Sequence, residues 1–325
     1  MSSTFSFFNY VAPPKWLVEK IDNPLHSMIV VGSMGCGKTT WTLSLIAKAV
    51  EKLLNDGVDG SEILVVRTQS LSMLQTLMLL NALGVNFTKV KYLYWFNDDA
   101  PSAVGQHGRR AMSAENVRES QFYTVIRHEL ERRGFRGFLF VAHATQVYHL
   151  IDITFRRTAK VKAFKDYPEE PSDLRLVGPM LGKTYLRKLR EITKMVYSPR
   201  TFEEMIEGLS SAVVKFVNTK KVVTIERKEI PSSVAFVPTG GAWGHADRAQ
   251  LVKSAFHQVA PHHAPLAPPI GRLEFRELVR KYGIQARNTN IDLLYENIMR
   301  RLGYIVEEKE EREATAAQVA AEGSP

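Results

Sequence analysis

With one cysteine, Cys36, in 325 residues, the chain has no intramolecular disulfide and no cysteine-based zinc site. It also lacks an apolar stretch near the roughly 20 residues that a membrane helix needs. Met1 to Lys20 has no basic start followed by a long apolar run, so no secretory leader is expected and the expected location is cytoplasmic. No internal repeat is visible. Acid is the scarcer charge, with 34 Asp and Glu against 43 Lys and Arg, a formal net charge of +9. Five glutamates fall within 307–313, so the rest of the chain is more basic than the total suggests. A basic balance favours polyanionic partners, nucleic acid above all, or else a charge spread over the whole surface. His245, His257, His262 and His263 are irregularly spaced in a Pro-rich segment with no cysteine, which speaks against a metal centre there.

The composition is that of an ordinary globular protein, 45% hydrophobic and 24% charged. After a lead-in over 1–25 come five apolar runs of strand length: Met28–Val31, Ile63–Arg67, Val90–Phe96, Gly137–Ala142 and Lys160–Phe164. Segments of helical spacing separate them, at Thr39–Leu54, Ser70–Leu83 and Ala114–Arg133. The alternation predicts an α/β fold, a mainly parallel five-stranded central sheet covered by helices. Beyond it the pattern predicts a basic helix at Gly182–Val196, a short helix at Phe202–Leu209 and a hairpin over Ala212–Arg227 turning near Asn218 and Thr219. The predicted core domain spans 26–235. A linker follows over 236–270, marked by Gly240-Gly241 and the run Ala260–Pro269. Residues 271–307 read as a small, mostly helical unit, either of helix-turn-helix or winged-helix type or a helical pair docked on the main domain. Residues 308–325 read as a disordered tail.

Residues 32–39 read Gly-Ser-Met-Gly-Cys-Gly-Lys-Thr and satisfy G-x-x-x-x-G-K-[ST], the phosphate-binding loop. Each requirement has a chemical reason. Gly32, Gly35 and Gly37 let the backbone curl so that the N–H groups of Ser33, Met34, Gly35, Cys36, Gly37, Lys38, Thr39 and Thr40 can line a phosphate. Lys38 supplies positive charge, Thr39 a hydroxyl for Mg²⁺, and the following helix its positive end. Cys36 matters here for its small size and backbone N–H more than its sulfur. The strand Met28–Val31 before the loop and the amphipathic helix after it supply the required context. A second Gly-Lys-Thr, at 182–184, lacks both the strand and the first glycine and reads as a helix start.

A phosphate loop needs an acid for the metal and a base for the attacking water. The strand ending at Phe96 runs into Asn97-Asp98-Asp99, and strand tips at this edge of a parallel sheet face the ligand. Asp98 is assigned to the magnesium and Asp99 to the water, with a register shift of one residue left open. Along the chain Ile63–Arg67 stands between the loop and this acidic strand, as expected for ATPases with an additional strand. The next strand ends near Thr145 and Gln146, the candidates for a residue that reads the γ-phosphate, with His143 as runner-up.

The order Gly32–Thr39, Asp98-Asp99, Phe138–Gln146, then Arg156-Arg157 ahead of a fifth strand resembles the HerA/FtsK-like additional-strand ATPases. That family includes DNA translocases, conjugation ATPases and viral packaging motors, and the compact size is similar to members from archaeal plasmids and viruses. The resemblance covers roughly 25–165 and implies ATP and Mg²⁺ as cofactors and DNA as partner. It also implies a homo-oligomer, such as a hexamer, with an arginine reaching a neighbour's site; Arg156, Arg157, Arg127 and the Arg109-Arg110 pair are the candidates. The chain departs from the family at Asp99, where Glu is more usual and reaches about one bond further. A replication initiator or regulator using ATP as a switch, and an ATP-dependent assembly factor without a DNA role, are the alternatives. The patches Lys183–Lys194, Lys220-Lys221 and Arg300-Arg301 suit either nucleic-acid phosphates or water.

Overall fold

Strands that read as unbroken apolar runs are those that a parallel sheet buries on both faces. The computed structural model describes residues 7–21, 24–68, 73–82, 85–98, 125–151, 153–239, 272–281 and 292. The five runs become β1 (Leu25–Val31), β2 (Ile63–Thr68), β3 (Tyr92–Asn97), β4 (Phe138–Thr145) and β5 (Val161–Phe164). The predicted hairpin forms β6 (Ser211–Phe216) and β7 (Thr219–Thr224). An unpredicted strand, β8 (Ala235–Thr239), pairs with β2 in parallel and draws residues 236–239 of the expected linker into the sheet. Among the described residues the sheet is therefore eight-stranded rather than five-stranded, in the order β7-β6-β5-β1-β4-β3-β2-β8. The β5–β6 and β6–β7 pairs are antiparallel and the others parallel.

This order corrects one expectation. The strand inserted between β1 and the acidic β3 is β4, whereas β2, the run at Ile63–Arg67, lies on the far side of β3. All eight residues of β4 are buried, as fits a central place in the sheet. A parallel crossover is free to skip a strand position, so order along the chain does not fix order in space.

The helices are α1 (Phe7–Val11), α2 (Lys15–Lys20), α3 (Lys38–Asn55), α4 (Met73–Ala82), α5 (Ile153–Thr158), α6 (Pro171–Tyr197), α7 (Phe202–Ser210) and α8 (Arg272–Lys281), with residues 125–131 also helical. On one face Trp41, Leu45, Ile46, Ala49, Val50 and Leu53 of α3 pack with Tyr10 and Val11 against alternate residues of β1, β3 and β4. On the other, Val177, Leu181, Leu189 and Ile192 of α6 cover Ile29, Phe164 and Val213. The helix α6 breaks at Gly182 (φ 77°, ψ 167°), so the second Gly-Lys-Thr does open a helical segment. Arg276 of α8 pairs with Asp292; the remainder of the expected C-terminal unit lies outside the described residues. Among the described residues no helix is long and apolar enough to cross a membrane.

A polar row crosses the sheet, with Thr68, Asn97 and His143 in register on β2, β3 and β4. Thr68 Oγ1 donates to Asn97 Oδ1 at 3.2 Å, and Asn97 Nδ2 lies 3.5 Å from His143 Nδ1. His143 is buried against the ring of Phe155, and burial pulls its pKa from 6.5 down to about 4. The folded state thus refuses a proton that the unfolded chain accepts. The corresponding stability is fully present above pH 6.5 and is lost as pH falls from 6.5 toward 4, up to about 3 kcal/mol. Urea midpoints measured across this range are expected to fall steeply for the wild type and less for His143→Gln; equal slopes would contradict a buried neutral His143.

Candidate functional site

The glycines of the phosphate loop meet two separate demands. Gly35 and Gly37 adopt φ of 84° and 83°, which a side chain resists, and Gly37 is the N-cap of α3. At Gly32 the demand is space: a Cβ would stand 2.5 Å from Cys36 Sγ and 2.9 Å from Lys165 Cβ. The loop leaves β1 where Gly32 N–H donates to Thr145 O at 3.0 Å, at the tip of β4. Ser33, Met34, Gly35 and Thr40 are exposed, while Gly32 and Cys36 are buried. Lys38 Nζ donates to Gly32 O at 2.6 Å and Ser33 O at 2.7 Å, holding its ammonium over the loop.

Asp98 follows β3 and meets the start of α3. Its carboxylate oxygens lie 2.9 and 3.0 Å from Thr39 Oγ1, which donates to them. The residue is 5% exposed, and Arg67, at the end of β2, donates to Asp98 Oδ2 from Nε at 3.1 Å and from a terminal nitrogen at 2.6 Å. Three elements separated along the chain therefore converge on one carboxylate. Arg67 was not singled out by sequence, although a lone cation closing an otherwise apolar strand was a usable signal. Asp99, the assigned base, lies outside the described residues.

At the tip of β4 the candidate sensors part company. Thr145 is buried, and its Oγ1 donates to Val147 O at 3.0 Å and accepts from Val147 N–H at 3.2 Å. Gln146 is exposed beside it. His143 sits two residues short of the tip, inside the sheet, and does not line the mouth. Among the arginines, Arg156 is half-buried with its guanidinium 5.8 Å from the Tyr148 ring, and its Nε is buried with no partner among the described residues. Arg157 is exposed, and Arg127 pairs with Glu131 at 3.4 Å. Arg109 and Arg110 lie outside the described residues.

The β5 side of the loop carries a charged pair that the sequence reading passed over. Asp166 Oδ2 accepts the Ser33 N–H at 2.7 Å, and Tyr197, at the end of α6, donates to Met34 O at 3.3 Å. Lys165 is fully buried and donates to Leu209 O and Ser211 O, both at 2.6 Å. Burial pulls its pKa down to about 7, opposed by the charge of Asp166. Burial, then Asp166, pushes the Cys36 thiol up to about 11, which leaves it protonated and unreactive at neutral pH. The signal was present: a Lys-Asp pair following an apolar strand at the same sheet edge as Asp98. Among the described residues no cluster of three or more His, Cys, Asp or Glu side chains forms a metal site. A metal here would rest on Thr39 and Asp98 together with ligand and water oxygens, a donor set that suits Mg²⁺.

No protein-family model matches the chain, and no curated protein matches it significantly. The chain is similar to solved structures of the genome packaging NTPase B204 from Sulfolobus turreted icosahedral virus 2. The complex with ATP-gammaS has a TM-score of 0.36 and 14% identity, covering 64% of this chain and 100% of that one. The complex with AMPPCP has a TM-score of 0.35 and 11% identity, covering 63% and 100%. B204, the DNA-packaging ATPase from Sulfolobus Turreted Icosahedral Virus, has a TM-score of 0.31 and 11% identity, covering 64% and 100%. With TM-scores below 0.5, the functional reading rests on the geometry of the site.

Removing one partner of a buried ion pair leaves the other charge without compensation, at a cost of roughly 3 kcal/mol. Arg67→Ala is expected to lower stability by about that amount, and the double variant with Asp98→Asn to lower it by less than the sum of the singles. Urea titration of the four proteins gives the coupling, expected at about 2 kcal/mol; a coupling below about 0.5 kcal/mol would mean that solvent screens the pair.

Proposed function

We propose that this chain binds ATP with Mg²⁺, hydrolyses it, and acts on DNA as an oligomeric translocase or packaging and transfer motor. The observation that carries the reading is the 2.9 Å contact of Thr39 Oγ1 with Asp98 at the N-terminus of α3. A hydroxyl and a carboxylate suit a hard cation that keeps several waters. Beside them stand a glycine-shaped loop, a lysine and the positive end of an 18-residue helix. Thr39 and Asp98 would hold the metal, whose contribution when bound is to neutralise charge on the β- and γ-phosphates.

The chain's own groups then divide the work. The backbone N–H groups from Ser33 to Thr40 orient the phosphates, and Lys38 exchanges its bonds to Gly32 O and Ser33 O for phosphate oxygens. With a metal bound, Asp98 would be shared between it and Arg67, whose guanidinium, 2.6 Å from Oδ2, would keep the site's charge balanced. Asp99, next in the chain, orients the attacking water. Gln146 reads the γ-phosphate from the exposed tip of β4, and Thr145 fixes that tip through Val147. Arg156, with Arg157 as its exposed neighbour, completes the site of an adjacent subunit. Residues 26–235, extended by β8 to 239, would be the ATPase core and 271–307 a unit handling nucleic acid. The DNA role is supported by the net charge of +9.

ATP turnover measured with and without duplex DNA, for the wild type, Lys38→Ala and Asp99→Asn, tests the reading. The wild type is expected to turn over faster with DNA of any sequence, and Lys38→Ala to lose about 100-fold or more. Asp99→Asn is expected to keep nucleotide affinity and lose turnover. Normal hydrolysis by Lys38→Ala would overturn the assignment of the site. A wild type indifferent to DNA would overturn the motor and leave a switch or an assembly factor.

A further inference from the structure

Three lysines face one another across three neighbouring strands. Lys162 of β5 is the register partner of Lys215 on β6, and Lys215 is the partner of Lys220 on β7. Alternation places all three on the sheet face of Phe164 and Val213, the face packed by α6. Like charges directly opposite across a sheet are destabilising. Lys162 and Lys215 are both held below the ordinary lysine range, first by burial and then by the charge of Lys215 and of Lys220 respectively. No ion pair with a carboxylate relieves any of the three among the described residues.

Protection of the sheet edge accounts for part of this, since β7 is the terminal strand and lysines discourage pairing with another chain. It does not account for Lys162, which is half-buried two strands inside that edge, where Nζ donates to Ala159 O at 2.5 Å, a neutral carbonyl that leaves its charge unbalanced. The row is also flanked by α6. A Cβ on Gly182 would lie 3.9 Å from Lys220 Nζ, so the helix break brings backbone close to the ammonium. Tyr185 donates to Lys220 O and carries Lys188 Nζ 5.3 Å from its ring centre. With strands about 4.8 Å apart, the three positions span about 10 Å in a line. A line of cations without counter-charges matches a linear polyanion better than a single carboxylate.

We propose that the Lys162–Lys215–Lys220 row is a contact surface for the phosphate backbone of nucleic acid. The proposal rests on the DNA-acting reading above and gives it a location. It also gives it a connection, because α6 flanks the row near Gly182 and reaches the phosphate loop with Tyr197.

The test is fluorescence anisotropy of a labelled duplex and a labelled single strand with the full-length chain across a salt series. The triple variant Lys162→Gln, Lys215→Gln, Lys220→Gln is compared with a control that removes three distant exposed charges, Lys15→Gln, Lys20→Gln and Lys89→Gln. The row variant is expected to weaken binding about 10-fold or more near 0.1 M salt and to reduce the slope of log K against log salt by roughly 2 to 3. Lys215→Gln alone is expected to reduce the slope by about 1, which keeps the test open should the triple variant fold poorly. The thermal midpoint of either is expected to stay level or rise, since a repulsion is removed. Equal losses in the row variant and the control, or no loss in the row variant, would overturn the proposal. So would a wild type that ignores both nucleic acids, including one that binds vesicles of anionic lipid instead. ATP affinity, measured in parallel, is expected to be unchanged in the row variant. A wild type without ATP affinity would sink the nucleotide reading and leave the salt-slope comparison intact.

Discussion

The Asp98 carboxylate is the constraint on which the site depends. A carboxylate at 5% exposure needs charged or hydrogen-bonding partners, and it takes them from the first turn of α3 and the last residues of β2. Thr39 reaches it only if the phosphate loop crosses the end of β1 and turns into α3 there. Arg67 reaches it only if β2 lies beside β3. The sheet order satisfies both, with β4 inserted between β1 and β3 so that the loop and the carboxylate face each other across its tip. The same arrangement gives the edge a pairing of anion, hydroxyl and cation that a divalent metal would rearrange.

A second brace holds the loop from the opposite side. Asp166 fixes the Ser33 amide, Tyr197 reaches Met34 O, and Lys165 ties β5 to the carbonyls of Leu209 and Ser211. A Cβ on Gly37 would lie 3.1 Å from Leu209 O, so the α7–β6 junction also packs against the loop. The loop is therefore held between β3 with β2 on one side and β5 with α6 and α7 on the other. Tyr197 ties the loop to α6, and Tyr185 ties α6 to Lys220 of the β6–β7 hairpin.

Much of this was legible in the sequence because burial on both faces leaves a plain signature. Runs such as Tyr92–Phe96 and Phe138–Ala142 admit few readings other than central strands, and the turn at Asn218 declared the hairpin. The phosphate loop was legible because its glycines answer to backbone geometry. What escaped depends on adjacency in space. Along the chain Ile63–Arg67 comes between the loop and the acidic strand, yet in the sheet β4 holds the interposed position. β8 was hidden by its length and by Pro238, which speaks against a central strand and is tolerated at the sheet's terminal position. The partners of Asp98 and Ser33, Arg67 and Asp166, were visible only as charged residues closing apolar strands, and nothing local states which group each one meets. His143 looked like a tip residue because the end of β4 could not be fixed to within two residues.

The contribution of Mg²⁺ to nucleotide affinity tests the central claim most directly. ATP binding is measured by calorimetry with Mg²⁺ and with chelator, for the wild type, Thr39→Ala and Asp98→Asn. If Thr39 and Asp98 form the metal position, Mg²⁺ strengthens ATP binding to the wild type by about 10-fold or more, and both variants lose that increment while keeping their affinity in chelator. An increment that survives in both variants would contradict the account.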